Sequence, residues 1–345
     1  MKRARKILMM LTCALCLVTL SLPKGFAQDL HFSQFMNSPL LTNPANTGFI
    51  PQADYRLGVN YRNQWSSIMS MPYKTMSAFG DVQVFRDRIE TGWMGLGGVI
   101  LHDVAGSGNL TSTKIYASVA YHQMIGVASL VSSGFNIGWA NKRINTTNLT
   151  FPNQFDGKFF DAHLPGAAVL DKTSASYFDM QAGLNYAYFP TEDIYLNVGF
   201  SAMHVNRPQE SFFSSKSGVD TKVPVRYTTF INASYKLNDQ WIINPNVYAS
   251  FMAKASEIVG GVNAHYNLSG DGEKQLIGGV YYRYKDAIIP MIGIGLKEYS
   301  FAFTYDVTMS TLKNYNSGRG AFEFSLVKEG FFSGNTDRQS LCPRF

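Results

Sequence analysis

The sequence predicts an all-β chain, a transmembrane outer-membrane β-barrel of about 14 antiparallel strands with a short N-terminal periplasmic or plug segment. Three observations carry that expectation: an export signal, alternation of apolar and polar residues with period two, and long connections confined to every second loop.

The signal comes first. Lys2, Arg3, Arg5 and Lys6 form a positive head, residues 7–22 an apolar stretch, and Gly25-Phe26-Ala27 supplies small residues at the positions a signal peptidase reads. Cleavage is expected after Ala27, making residues 1–27 a signal peptide. A transmembrane anchor would want a longer apolar run of about 20 residues. A lipoprotein signal is set aside because Cys13 and Cys16 lie inside the apolar run instead of after it. Removing the signal takes five of the 30 Lys+Arg and leaves 25 basic residues against 24 acidic ones, a net charge of +1. The basic balance of the full chain therefore belongs to the signal, and no nucleic-acid partner is indicated. Only Cys342 remains of the three cysteines, so no internal disulfide framework is expected.

Residues 28–53 follow as an N-terminal periplasmic or plug segment. Its "SQFMNSPLLTNPANTGFI" stretch holds Pro39 and Pro44, which cannot donate to a strand ladder. Pro44 biases Asn43 toward extended conformations, so Asn43-Pro44 is expected to form a tight turn. Phe32, Phe35, Met36, Leu40 and Leu41 give the segment more apolar surface than a tether needs. Docking on the periplasmic end of the barrel, or in its lumen, is the expectation.

The barrel is assigned to residues 54–328. In "YRLGVNY", Tyr55, Leu57, Val59 and Tyr61 share one face and Arg56, Gly58 and Asn60 the other; "FDMQAGLNYAY", "LNVGFSA" and "YSFAFTYD" repeat the pattern. Such alternation means a sheet with one apolar and one polar face, and a soluble sandwich gives it too, with the apolar side turned inward. Strands of about 8–13 residues favour a barrel, because crossing a bilayer at a tilt takes roughly 9–11 while globular strands average about 5–6. Aromatic residues, 14% of the chain, recur at strand ends, where a bilayer has its headgroup boundary. Strands are expected to begin near Asp54, Lys74, Met94, Thr111, Ser129, Tyr177, Ile194, Arg226, Gln240, Glu257, Gln275, Ile288, Tyr299 and Ala321. Compact links "IGVA", "PTED", "LND" and "KE" alternate with the long segments 143–176, 205–225 and 307–320. Short periplasmic turns and long outer loops give that asymmetry. An even strand number places both termini in the periplasm, with residues 329–345 as a C-terminal tail.

With the strands in place, the residues resemble a known family. "HFSQFMNSPLLTNPANTGF", "YRNQW", "PYKT", "GLGGVILHD", "YASVAYH", "YYRYKDA", "TYDVTMSTL" and the closing "CPRF" stand in the order and spacing of the PorP/SprF family of type IX secretion membrane proteins. The resemblance covers the whole mature chain; Ser70-Met71 stand where the family usually has Gly-Ala. It implies a Bacteroidota outer-membrane barrel, not an enzyme, working in type IX secretion or gliding motility. The partners implied are other type IX secretion components, a large secreted surface adhesin held at the cell surface, and a periplasmic lipoprotein or peptidoglycan-binding protein, with outer-membrane lipid around the barrel.

No cofactor is expected. The six histidines show no metal-ligand spacing, and His102-Asp103 are neighbours on a strand, so they point to opposite faces. No Gly-x-Ser-x-Gly surrounds a nucleophile. Gly95, Gly97 and Gly98 fall inside a strand, where glycine eases curvature or close backbone approach. Candidate plug or partner-binding residues are Leu40, Leu41, Asn43 and Pro44 in the first segment, Arg62, Gln64 and Trp65 in "YRNQW", Lys74 in "PYKT", and Phe155, Phe159 and Phe160 in the longest loop. Arg226, Lys236, Arg283 and Lys285 are expected to line the interior with Arg56, Asn60, Arg62 and Gln64, beside Asp179 and Asp306. Two readings of the function follow: a barrel that anchors a secreted partner, or a transport barrel for small or hydrophobic solutes. A continuous path through the lumen separates them.

Overall fold

The computed structural model describes residues 32–332 apart from 52, 87, 107–108, 146–153, 156, 162–171 and 213–220. The expected signal peptide, Cys342 and most of the C-terminal tail lie outside the described residues. Fourteen strands follow one another in the chain: β1 (Tyr55–Gln64), β2 (Tyr73–Val84), β3 (Gly92–Ala105), β4 (Leu110–Met124), β5 (Ser129–Arg143), β6 (Ser174–Thr191) and β7 (Ile194–Met203), then β8 (Arg226–Asn238), β9 (Trp241–Met252), β10 (Ala255–Asn267), β11 (Lys274–Arg283), β12 (Ala287–Leu296), β13 (Tyr299–Thr308) and β14 (Arg319–Gly330). Each pairs antiparallel with its sequence neighbour, and β1 pairs β14 to close the barrel, with Arg62 opposite Glu323. Closure leaves no edge strand, the condition a sheet must meet inside a bilayer. The starts fall within three residues of those expected; the largest offset is at β6, which begins at Ser174.

The alternation resolves with its apolar side outward. Leu57, Val59, Phe178, Leu184, Phe200 and Ile292 are exposed, while Asn60, Arg62, Asp179, Asn185 and Asp306 are buried. A soluble sandwich would reverse both sets. Turning the polar face inward leaves a belt of Leu, Ile, Val and Phe for lipid. Rings gather at both rims: Trp65 against Tyr73 at one, 5.4 Å between centroids, and Trp241 against Tyr266 at the other, 4.8 Å. No helix of the described residues is long and apolar enough to cross a membrane.

The two ends differ. The four longest connections, 65–72, 144–173, 204–225 and 309–318, leave one end, and three of the four two-residue turns, 192–193, 239–240 and 297–298, leave the other; the fourth, 253–254, is at the long-loop end. Lys142 reaches Glu210 at 2.6 Å, and the amide of Lys172 donates to the Phe212 carbonyl at 3.2 Å, tying two long loops together. Protease added to intact cells is expected to cut at Phe155–Phe160 before it reaches Glu192-Asp193. Cleavage at 192–193 first would reverse the orientation.

One of the expected interior charges lies elsewhere. Lys285 sits exposed in the turn between β11 and β12 with φ of 59°, past the end of β11, where the inside–outside alternation no longer fixes direction. Lys236 keeps the inward side, opposite buried Ile242, and pairs with Asp239 at 3.1 Å at the short-turn rim.

Candidate functional site

Residues 32–50 lie inside the barrel, and the inner wall holds them around nearly its whole circumference. The segment is not a strand. It makes one 3-10 turn at Phe35–Asn37, a single helical turn at Pro39–Thr42 and a second 3-10 turn at Pro44–Asn46. The two prolines open the last two turns, where a missing N–H costs nothing. Asn43 is extended (φ −159°, ψ 127°), and its side chain accepts from the Ala45 amide at 2.8 Å, so the expected Asn43-Pro44 turn is present.

Three apolar anchors fix the segment at three levels. Near the short-turn end Phe49 stacks on His122 and Tyr195, at 5.8 and 6.5 Å. At mid-height Leu40, fully buried, packs with Phe79, Val99 and Tyr116. Toward the long-loop end Phe35 stacks on Tyr248 at 5.1 Å and meets the edge of Tyr281 at 6.4 Å, within a cluster drawn from β8 to β13.

Hydrogen bonds account for the backbone between the anchors. The Gly48 amide donates to Asp81 at 2.7 Å, and the Trp93 indole donates to the Gly48 carbonyl at 2.9 Å. His122 Nε2 donates to the Thr47 carbonyl at 2.8 Å, leaving Nδ1 to accept from the Ser132 hydroxyl at 2.7 Å. The Asn43 amide donates to Asn185 Oδ1 at 2.8 Å and to the Leu184 and Phe200 carbonyls, both at 3.1 Å. Asn185 returns a bond to Asn46 Oδ1 at 2.7 Å, and Ser201 donates to the Thr42 carbonyl at 2.9 Å. Gln34 and Asn37 both bond Ser325, at 2.7 and 2.8 Å.

A charged cluster holds the top of the segment. Glu323 accepts the amides of Ser33 and Gln34, at 2.7 and 3.0 Å, and Arg62 bridges Glu323 to Asp306. Arg283 reaches Asp306 at 2.9 Å and Glu257 at 2.9 Å. The Ser33 hydroxyl sits among Arg62, Arg283 and Asp306. Buried charges persist when paired and hydrogen-bonded, and here part of that bonding comes from the lumenal segment.

Glycines make the fit possible. A Cβ on Gly134 of β5 would lie 2.4 Å from the Ala45 nitrogen, and one on Gly183 of β6 would lie 1.9 Å from Asn43 Oδ1. The backbone of the segment therefore rests directly on the backbone of the wall. Gly95 does the same against the Thr47 carbonyl, the close approach expected of that strand.

The candidate residues separate into three groups. Leu40, Leu41, Asn43, Pro44 and Arg62 meet in the lumen, with Gln64 accepting from Arg62 at 3.3 Å. Trp65 follows the last residue of β1 with φ of 62° at the rim, and Lys74 is exposed on the outer face beside inward-facing Thr75. Phe155, Phe159 and Phe160 are exposed on the longest loop, where Phe155 and Phe160 form an isolated bridge. Ser33, Gln34 and Thr47 were not singled out from sequence, nor were Asp81, His122 and Glu323 as their partners. Their partners lie far along the chain, and nothing local marks them. Phe32 and Ser33 lie at the long-loop level, whereas β14 ends at the short-turn rim.

Exchanging Leu40 for Ser is expected to cost about 2–5 kcal/mol, the range for emptying a buried Leu site. Leu41→Ser should cost much less, because Leu41 is only half-buried. Heat-modifiability on a gel reads both; equal behaviour would show that Leu40 is not an anchor.

Among the described residues no group of three or more His, Cys, Asp or Glu is placed to hold a metal ion. No curated protein matches the sequence. The crystal structure of the Ralstonia pickettii toluene transporter TbuX is similar with a TM-score of 0.51 and 12% identity, over 89% of this chain and 96% of that one. The P. putida toluene transporter TodX has a TM-score of 0.48 and 12% identity, over 86% of this chain and 95% of its own. A Pseudomonas aeruginosa FadL homologue has a TM-score of 0.48 and 10% identity, over 85% and 94%. The likeness to TbuX is one of fold. A family model for the type IX secretion system membrane protein PorP/SprF matches residues 24–327. With the closed barrel, its apolar outer belt and that match, the chain is an outer-membrane component of type IX secretion and belongs to the PorP/SprF family.

Proposed function

We propose that the protein is a non-catalytic anchor that binds a large secreted surface adhesin, or another type IX secretion component, at the outer face of its barrel. The observation that carries this reading is the filled lumen. Residues 32–50 bond to the inner wall at three levels, so the barrel is built as a rigid platform and not around a path. The long loops face outward and offer Phe155, Phe159 and Phe160, 53%, 73% and 51% exposed, in a part of the chain that lipid does not cover. Exposed rings in a group commonly mark a contact surface. The short-turn end, where β14 finishes at Gly330, faces the periplasm and is where a lipoprotein or peptidoglycan-binding protein would meet the barrel.

Affinity purification from the native membrane, with the bound proteins identified, tests this. The wild type should bring down a secreted surface protein, and the triple variant Phe155→Ser, Phe159→Ser, Phe160→Ser should lose it while the barrel stays heat-modifiable. Equal recovery by both would remove the aromatic loop from the reading. The alternative, a transport barrel for small or hydrophobic solutes, requires residues 32–50 to leave the lumen, and solute uptake by the wild type in liposomes would support it.

A further inference from the structure

We propose that the long-loop rim between β11 and β2 is a binding site for a phosphorylated glycolipid of the outer leaflet, of the lipid A type. Three connections lie side by side there, because β11 to β14 continue through the closing seam into β1 and β2. Hydrogen bonds join them into one surface. The Met309 and Ser310 amides donate to the Asp286 carbonyl at 2.6 and 3.1 Å, and the Trp65 amide donates to the Gly320 carbonyl at 2.9 Å. Arg319 Nη1 donates to the Ser67 carbonyl at 3.4 Å.

This surface carries four exposed cations, Lys74, Lys285, Lys313 and Arg319. Residues 65–74, 284–286 and 309–319 contain a single carboxylate, Asp286, and Arg283 engages it at 3.0 Å. Among the described residues none of the four cations pairs with a carboxylate. The opposite ends of the same strands differ: Lys297 faces Glu273 at 3.7 Å and Lys328 faces Glu298 at 3.4 Å. A cation draws an anionic lipid most strongly where no carboxylate of the chain already neutralises it. Ile68, Met69, Met71, Met309, Leu312 and Tyr315 are exposed among the cations, so the rim offers apolar contact beside charge. Continuity with the lipid belt selects a lipid over a soluble partner. Lys74 stands two residues nearer the rim than exposed Met76 on the same outer face, and Ile288 is exposed on the outer side of β12 just past Lys285. Ammonium groups at that level, with their stems along apolar side chains, meet headgroup phosphates. A lipid with phosphates and several acyl chains matches both components.

Placement in the outer leaflet rests on the long loops facing outward, whereas binding is measured on the purified barrel in detergent, where orientation plays no part. Native mass spectrometry reads lipid A binding by the wild type, by the rim variant Lys74→Gln, Lys285→Gln, Lys313→Gln, Arg319→Gln, and by a short-turn control, Lys274→Gln, Lys297→Gln, Lys328→Gln. Heat-modifiability checks that each is folded. The control should bind as the wild type does, and the rim variant should bind at least roughly tenfold more weakly, since one cation near an anionic lipid surface contributes about fivefold. Dephosphorylated lipid A should bind the wild type as weakly as lipid A binds the rim variant, and inorganic phosphate should not displace lipid A. A rim variant that binds as the wild type does, a control that loses as much, or displacement by phosphate alone overturns the proposal. Loss of a secreted protein from the affinity purification by the rim variant, with lipid A binding kept, would give the surface to a protein instead. Protease cutting first at 192–193 on intact cells would refute the orientation, and with it the outer-leaflet placement, whatever the purified barrel binds.

Discussion

Replacing Gly134 and Gly183 together by valine is expected to expel residues 43–48 from the lumen while the fourteen-stranded wall stays closed. Valine favours the strand conformation, so the wall itself loses nothing. The added side chains begin at Cβ positions 2.4 Å from the Ala45 nitrogen and 1.9 Å from Asn43 Oδ1, where backbone and a four-fold bonded amide cannot give way. Chymotrypsin should then cut at Phe35 or Phe49 in the purified variant and spare both in the wild type. Gly278→Val serves as the control, since no heavy atom lies within 4 Å of a Cβ there. Protection of Phe35 and Phe49 in the double variant would mean that the segment does not depend on the glycine groove.

Arg62→Leu is expected to cost about 3–5 kcal/mol, the penalty for breaking a buried ion pair and stranding its partner. Arg62 is 8% exposed in its side chain and joins Glu323 and Asp306, at 1% and 3%. Without it, Glu323 loses its ion pair and keeps the Ser33 and Gln34 amides, while Asp306 keeps Arg283. The pair Arg62–Glu323 spans the β1–β14 seam, so the loss falls on barrel closure as well as on Ser33 and Gln34. Urea unfolding in detergent micelles measures it. Adding Glu323→Leu to Arg62→Leu should restore part of the stability, because the stranded carboxylate goes with its partner. A double variant no better than the single one would show that the bonds from Glu323 to the Ser33 and Gln34 amides outweigh the ion pair.

The wall of this barrel was readable from the sequence because its signals are local. Tyr55, Leu57, Val59 and Tyr61 declare a face within one strand, and turns such as Glu192-Asp193 declare the strand's end. Which way the apolar face pointed followed from strand length and loop asymmetry. Lys74 was also within reach of the same rule. Thr75 faces inward to Asp103 at 2.6 Å, so its neighbour must face out.

The contents of the lumen were legible only in part. Pro39, Pro44 and the apolar residues around them marked a docked segment, since strand-incompatible turns rich in Leu and Phe need a surface to cover them. Its path was not marked. Ser33 finds Glu323 across 290 positions of sequence and Asn43 finds Asn185 across 142. A serine or an asparagine carries no sign of such a partner. Glycines within strands were the one available signal: Gly95 was read as permitting close approach, and Gly134 and Gly183 carry the same meaning at positions that were passed over.

Conductance of the purified protein in a planar lipid bilayer tests the filled lumen most directly. The wild type should show no steady open channel, and a variant lacking residues 32–50 should show one, because its departure leaves an inner wall lined by Asp81, His122, Asn185, Asp306 and Glu323. A steady wild-type channel as large as that of the deletion variant would contradict a lumen held shut by its own amino-terminal segment.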